Sequence, residues 1–188
     1  ETVVHRMRAP GRRSPFPMRA VPQTTYHTDY LKLSTLYHGD GIQLFHEPAA
    51  HTDGDSIVWL RHSDVIAAGD IYLTTTYPVI DVKAGGTING VIAGLNKLLD
   101  LCIPKENQEG GTMVIPGHGR ISDEADVLEY RDMLTIVRDR VQDAIKKGKT
   151  LQQIQTAGLT KDYDGRYGAT TGPWTTAMFI EAAYQSLK

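Results

Sequence analysis

One cysteine is all this chain has, and a lone thiol closes no internal disulfide and builds no Cys-rich zinc site. Cys102 falls in the apolar-periodic run GLNKLLDLCIP, where a buried, inert thiol is expected. An excess of either charge is missing too. Lys and Arg number 20 against 22 Asp and Glu, so no bulk field draws nucleic acid or an anionic membrane. Long apolar runs are absent: none approaches the ~18 residues a membrane span needs. The first twenty residues lack the apolar stretch of a signal peptide. The chain opens on Glu1 rather than Met, which predicts a start within a longer protein and leaves the compartment (bacterial cytoplasm or periplasm) open.

What is present suits one soluble globular domain with a sizeable core. The chain has 188 residues, 40% hydrophobic and 22% charged. Residues 1–40 read as an irregular Pro- and Tyr-rich segment, with a short helical or extended piece at ETVVHRM. Arg6, Arg8, Arg12, Arg13 and Arg19 make its start basic, but Pro10, Pro15 and Pro17 interrupt them, and a solvated loop is the expected form.

Residues 41–120 are rich in strand signals. Ile42, Leu44 and His46 alternate with Gln43, Phe45 and Glu47 until Pro48. SIVWLR and DVIAAGD, separated by HS, predict a hairpin over residues 56–69. Over residues 87–103, Ile88, Val91, Leu95, Leu98, Leu99 and Cys102 line one helical face, which Pro104 stops. GTMVIPG then reads as a short buried strand. Residues 121–188 are helical. Ser122 is the expected N-cap of a long helix with Asp123 and Glu124 at its positive end, and Lys146, Lys147 and Gly148 at its finish. Its apolar face is Val127, Leu134, Val137, Val141 and Ala144/Ile145. A last helix starts at GPW, with Pro173 in its first turn, and runs to Leu187. Strands followed by strand–helix alternation predict an α/β fold with helices on a mixed sheet.

His51, Asp70 and His118 each stand at the predicted end of a strand, where open α/β sheets place their chemistry. Two imidazoles and a carboxylate suit a borderline cation such as zinc, with three protein ligands and water as one viable set. Spacing alone leaves two readings open: a metal site, or two structural histidines and a turn aspartate. Asp53 and Asp55, in the His51 loop, are expected to shape it by holding backbone amides and orienting the ring.

The ordered set AAHTDGDSIVWL, SDVIAAGDIY and VIPGHG resembles the C-terminal half of the metallo-β-lactamase fold hydrolases, over about residues 42–120. The later DYDGRYG and GPWTT are similar to a bacterial subgroup of that superfamily. The resemblance implies the second half of an αββα sandwich and, across residues 1–188, one partial domain. It matches His51 to the third histidine of the first zinc site, Asp70 to the carboxylate that bridges two metals, and His118 to the last ligand of the second. It implies two zinc ions in the intact protein, no catalytic group apart from the metal ligands, and a metal-bound hydroxide attacking an ester, thioester, amide or lactam of a small-molecule substrate.

One departure stands out. The family's H-x-H-x-D-H motif should precede all of this, and no such pattern occurs in the chain; His5, His27, His38, His46 and His62 are isolated. The expectation is a truncated chain, inactive or nearly so. An alternative is a non-catalytic half-domain that folds by homodimerisation, because half of a two-sheet sandwich exposes an apolar sheet face. The basic arm carries no nucleic-acid motif, and no nucleic-acid or membrane partner is expected. Tyr26, Tyr30 and Tyr37 are expected at the edge of the core, Trp174 as a packing anchor and His62 in solvent.

Overall fold

The computed structural model of the chain describes residues 7, 16–22, 24–33 and 39–188. Four of the arm's arginines (Arg6, Arg8, Arg12 and Arg13), together with His5, Tyr37, His38 and most of ETVVHRM, lie outside the described residues.

A mixed five-stranded sheet carries the structure, its strands in sequence order from edge to edge. The strands are β1 (Tyr30–Leu33), β2 (Ile42–Glu47), β3 (Asp55–Leu60), β4 (Val65–Leu73) and β5 (Met113–His118). The first four pair antiparallel, and β5 joins β4 in parallel. A parallel pair needs a crossover, supplied by helix α1 (Ile88–Leu101). Four helices follow: α2 (Glu124–Lys146), α3 (Leu151–Thr156), α4 (Asp164–Tyr167) and α5 (Thr176–Leu187). The α/β class with helices on a mixed sheet is therefore as the sequence predicts. Among the described residues no helix is long and apolar enough to cross a membrane.

Several boundaries differ from the sequence reading. The hairpin link is not HS but residues 61–64, turned by Asp64 at φ 50°. β4 then runs on through Asp70, so Asp70 lies inside a strand rather than past its end. Ser122 does not cap α2. Asp123 does, accepting from Asp126 N, while Asp126 reaches back to the Asp123 amide. Ser122 is instead bridged to Val114 and accepts the Tyr72 hydroxyl. The last helix begins at Thr176 with Thr175 as its cap, leaving Pro173 outside, because the Thr175 hydroxyl supplies the acceptor an N-cap needs. β5 is not buried throughout: Val114 is, but Met113 and Ile115 are exposed. Tyr30 is half exposed and stacks on Phe45, which itself packs against the core.

The two faces of the sheet have different fates. Ile57, Ile66, Ala68 and Val114 pack in one cluster with Ile88, Val91, Leu95 and Leu98 of α1, Val127, Leu134, Val137 and Val141 of α2, and Phe179 of α5. On the opposite face the registers align two complete rows, Leu33–Ile42–Leu60–Val65–Met113 and Leu31–Leu44–Val58–Ala67–Ile115. Every member is apolar and none is buried. A period-2 strand sorts its side chains to two sides, and here both sides are hydrophobic.

Candidate metal centre

Each of the three predicted residues is held by its backbone surroundings. His51 sits in the turn after β2. Its carbonyl accepts the Asp81 amide at 2.9 Å, and the preceding Ala49 and Ala50 carbonyls accept from Thr87 N at the start of α1. Asp55 accepts the Thr52 amide (2.7 Å) and hydroxyl (3.2 Å), closing the same turn. Asp53 donates its amide to Ala84 O and accepts His46 Nε2 on its carbonyl. The turn is thus tied on both flanks.

Asp70 lies where the pairing of β4 with β5 shifts register, on the far side of Gly69, whose φ of 56° makes the bulge possible. His118 ends β5. Thr74, buried at the end of β4, grips the turn beyond it: Thr74 N donates to His118 O, and the Thr74 hydroxyl accepts from Arg120 N at 3.1 Å.

The structure brings the three side chains together. His51 Nε2 is 3.9 Å from Asp70 Oδ2, and His118 Nε2 is 3.6 Å from Asp70 Oδ1. Each carboxylate oxygen therefore faces a different imidazole. Among the described residues no three His, Cys, Asp or Glu side chains converge as one ligand cluster. Asp70 stands between the histidines, so a single cation held by all three, the simplest set that residue types allowed, is not the arrangement present.

The tautomer of His51 follows from its other nitrogen. Nδ1 lies 2.7 Å from the Val79 carbonyl, which can only accept, so Nδ1 carries the proton. In the neutral ring Nε2 then presents a lone pair to a carboxylate oxygen. That contact is attractive only with a proton or a cation between the two. Two ligands about 2.0–2.2 Å from a tetrahedral zinc stand ~3.3–3.6 Å apart, so these separations suit the group with little movement. An imidazole anchored through its second nitrogen to a carbonyl is the usual setting of a metal-binding histidine. Access differs between the two rings: the His51 side chain is 23% exposed and that of His118 74%. His46 and His62 stay apart from this group, His46 held by Asp53 and His62 on the surface with its amide bound by Asp40.

Sequence reasoning missed the supports rather than the side chains. The Val79 carbonyl and Thr74 carry no side-chain pattern that marks them. Gly117 and Gly119 are legible in PGHG, where glycines on either side of His118 are expected to let the backbone turn sharply and leave the ring clear.

No family model matches the chain, and no curated protein matches it. Among solved structures it is similar to the stereoselective inverting sec-alkylsulfatase Pisa1 from Pseudomonas sp., with a TM-score of 0.60 at 13% identity over 87% of this chain and 26% of that one. A double mutant of the same sulfatase aligns at TM-score 0.61 and 15% identity with the same coverage. A metallo-β-lactamase from Pontibacter korlensis overlaps 62% of this chain and 50% of its own at 15% identity and TM-score 0.44. The chain thus spans about a quarter of the sulfatase's length. These identities speak for the fold alone: the chain shares the fold of the aligned part of the sulfatase.

Proposed function

We propose that the chain carries the Asp70 side of a two-metal hydrolytic centre. Asp70 would be the shared ligand, with His51 and His118 the residues that would hold metal on its two sides. The observation that supports this is the placement of one imidazole against each oxygen of a single carboxylate. A bound pair of zinc ions would lower the pKa of a water molecule and polarise the oxygen of an ester, thioester, amide or lactam. The chain's own part is to hold and orient: Val79 keeps the His51 lone pair turned inward, and Thr74 keeps His118 at the rim. With no H-x-H-x-D-H motif in its sequence, the chain as it stands supplies each metal with too few ligands for tight binding, and little or no hydrolysis is expected of it.

Calorimetric titration with zinc tests this. The chain is expected to take up zinc weakly, and Asp70→Asn to remove that uptake while His62→Ala leaves it intact. Unchanged zinc uptake in Asp70→Asn overturns the assignment.

A second reading has its own support. The two apolar rows on the open face favour a cover, and a second copy of the chain would give one by sheet-on-sheet packing. In that reading the chain is a non-catalytic half-domain. Sedimentation equilibrium decides it, since a monomer up to high micromolar concentration rejects the dimer.

A further inference from the structure

Beside His51 an open groove of about 440 Å³ runs between residues 79–83 and one stripe of α5. Met178, Ala182 and Gln185 recur at helical spacing along that stripe, Trp174 precedes it, and Val79 and Val82 lie opposite. His51 also lines the groove, so one imidazole faces Asp70 through Nε2 and borders this space as well. The volume falls in the ordinary range of small-molecule sites. Its walls are mostly apolar, Met178 is 41% exposed rather than packed in the core, and the small Ala182 opens the stripe at its middle. The charges present do not form an anion site. Asp81 accepts the Ala84 amide, Glu181 accepts Gln185 Nε2 at 3.0 Å, and Lys83 is outnumbered by these two carboxylates. The cavity lined by Lys105 and Asp123, at about 60 Å³, is far smaller and does not include His51.

We infer that this groove takes an uncharged aliphatic chain. Resting on the hydrolase reading above, the inference makes the substrates medium-chain acyl or alkyl compounds, with the chain along α5 and the scissile group beside Asp70. At ~30 Å³ for a group the size of a water molecule, the groove has room for on the order of ten methylenes.

The test is a titration of the whole chain with 1-hexanol and 1-octanol, read by the emission of Trp174 in a Trp59→Phe background. Chelator is present throughout, so the outcome is independent of metal binding, and a failed zinc titration leaves it untouched. A saturable blue shift is expected, with half-saturation about fifteenfold lower for octanol, from ~0.8 kcal/mol for each of two methylenes. Ala182→Phe fills the groove from the helix and should raise the half-saturation at least tenfold. Gln185→Phe fills it from an exposed position and should do the same without touching the core. An alcohol on the open sheet face would leave Trp174 emission unmoved, which counts against the groove. Equal half-saturation for the two alcohols, or parent-like binding in both folded variants, overturns the inference.

Discussion

Gly117 lies directly against Asp70: a Cβ built on the glycine would stand 2.1 Å from Asp70 Oδ1 and 2.8 Å from the Gly69 backbone. No side chain fits there without moving the carboxylate. Gly117→Ala is therefore expected to push Asp70 off the line between His51 and His118. Zinc affinity should fall about 10–100-fold, the scale of losing a group that orients a ligand. Stability should fall by ~1–3 kcal/mol from overpacking. Calorimetry and denaturant unfolding separate the two effects, and parent-like zinc affinity in a folded Gly117→Ala would count against the bridging role.

Ile57 and Val58 are neighbours in β3 that point to opposite faces. Ile57 is fully buried in the core, whereas Val58 belongs to the open apolar rows. Ile57→Ala should cost ~2–5 kcal/mol. Val58→Lys should cost far less and should weaken any self-association seen by sedimentation. Equal destabilisation of the two variants by denaturant unfolding would mean that the chain itself closes the second face.

Tyr77 ties the C-terminal segment to the sheet. Its ring stacks on Phe179 at 4.6 Å, and its hydroxyl donates to Asp164 Oδ1 at 2.9 Å and Thr160 O at 3.1 Å. Tyr77→Phe keeps the stack but strands two acceptors, at a cost of about 1–2 kcal/mol. Burial pushes the phenols of Tyr72, Tyr77, Tyr130 and Tyr167 upward, Tyr167 to about 12. The native chain then holds protons that the unfolded chain releases above pH ~10. Stability from these groups is complete below that pH and is lost as pH rises towards 12. Ultraviolet absorbance titration should show these four ionising only with unfolding.

Asp123 behaves in the opposite sense. The Lys105 ammonium bonded to it, and the Asp126 amide it caps, hold its carboxyl below the usual 3.8. A depressed carboxyl contributes stability that is present above its unfolded value and is lost as pH falls through the folded one. Asp123→Ala should cost ~1 kcal/mol at neutral pH, the scale of a lost N-cap. Its acid unfolding curve should converge with the parent's at pH 2 to 3. A constant gap down to the lowest pH would reject the ionised cap.

Cys102 closes α1, half-buried, and burial pushes its thiol up to about 12. At pH 8 that leaves a thiolate in about one molecule in ten thousand, so native protein should resist a thiol reagent that labels the unfolded chain at once. Rapid labelling of the folded chain would contradict the burial.

The crossover helix and the long α2 were legible because each has a local cause. Val91, Leu95 and Leu98 repeat at helical spacing, and Val127, Leu134, Val137 and Val141 do the same. Strand and cap limits were not. Ser122 and Asp123 are equally good caps by residue type, and the choice fell to Asp123 because the Val114 bridge and the Tyr72 hydroxyl engage Ser122. Short helices such as α3 and α4 leave too few residues for a periodic signal. The tyrosines followed the same rule: Tyr72, Tyr77, Tyr130 and Tyr167 form the buried aromatic cluster, and their long-range packing has no local signature.

By itself the sequence determined the α/β class, the inward stripes of the two long helices, and which histidines and aspartate to watch, since these depend on residue type and short-range period. Only the tertiary structure decided that Asp70 sits inside a bulged strand between two imidazoles, that His51 is protonated on Nδ1, and that one sheet face packs against helices while the other carries apolar rows of which no member is buried. Those facts depend on pairing register and on groups such as Val79, Thr74 and Gly117, brought to the site from distant parts of the chain.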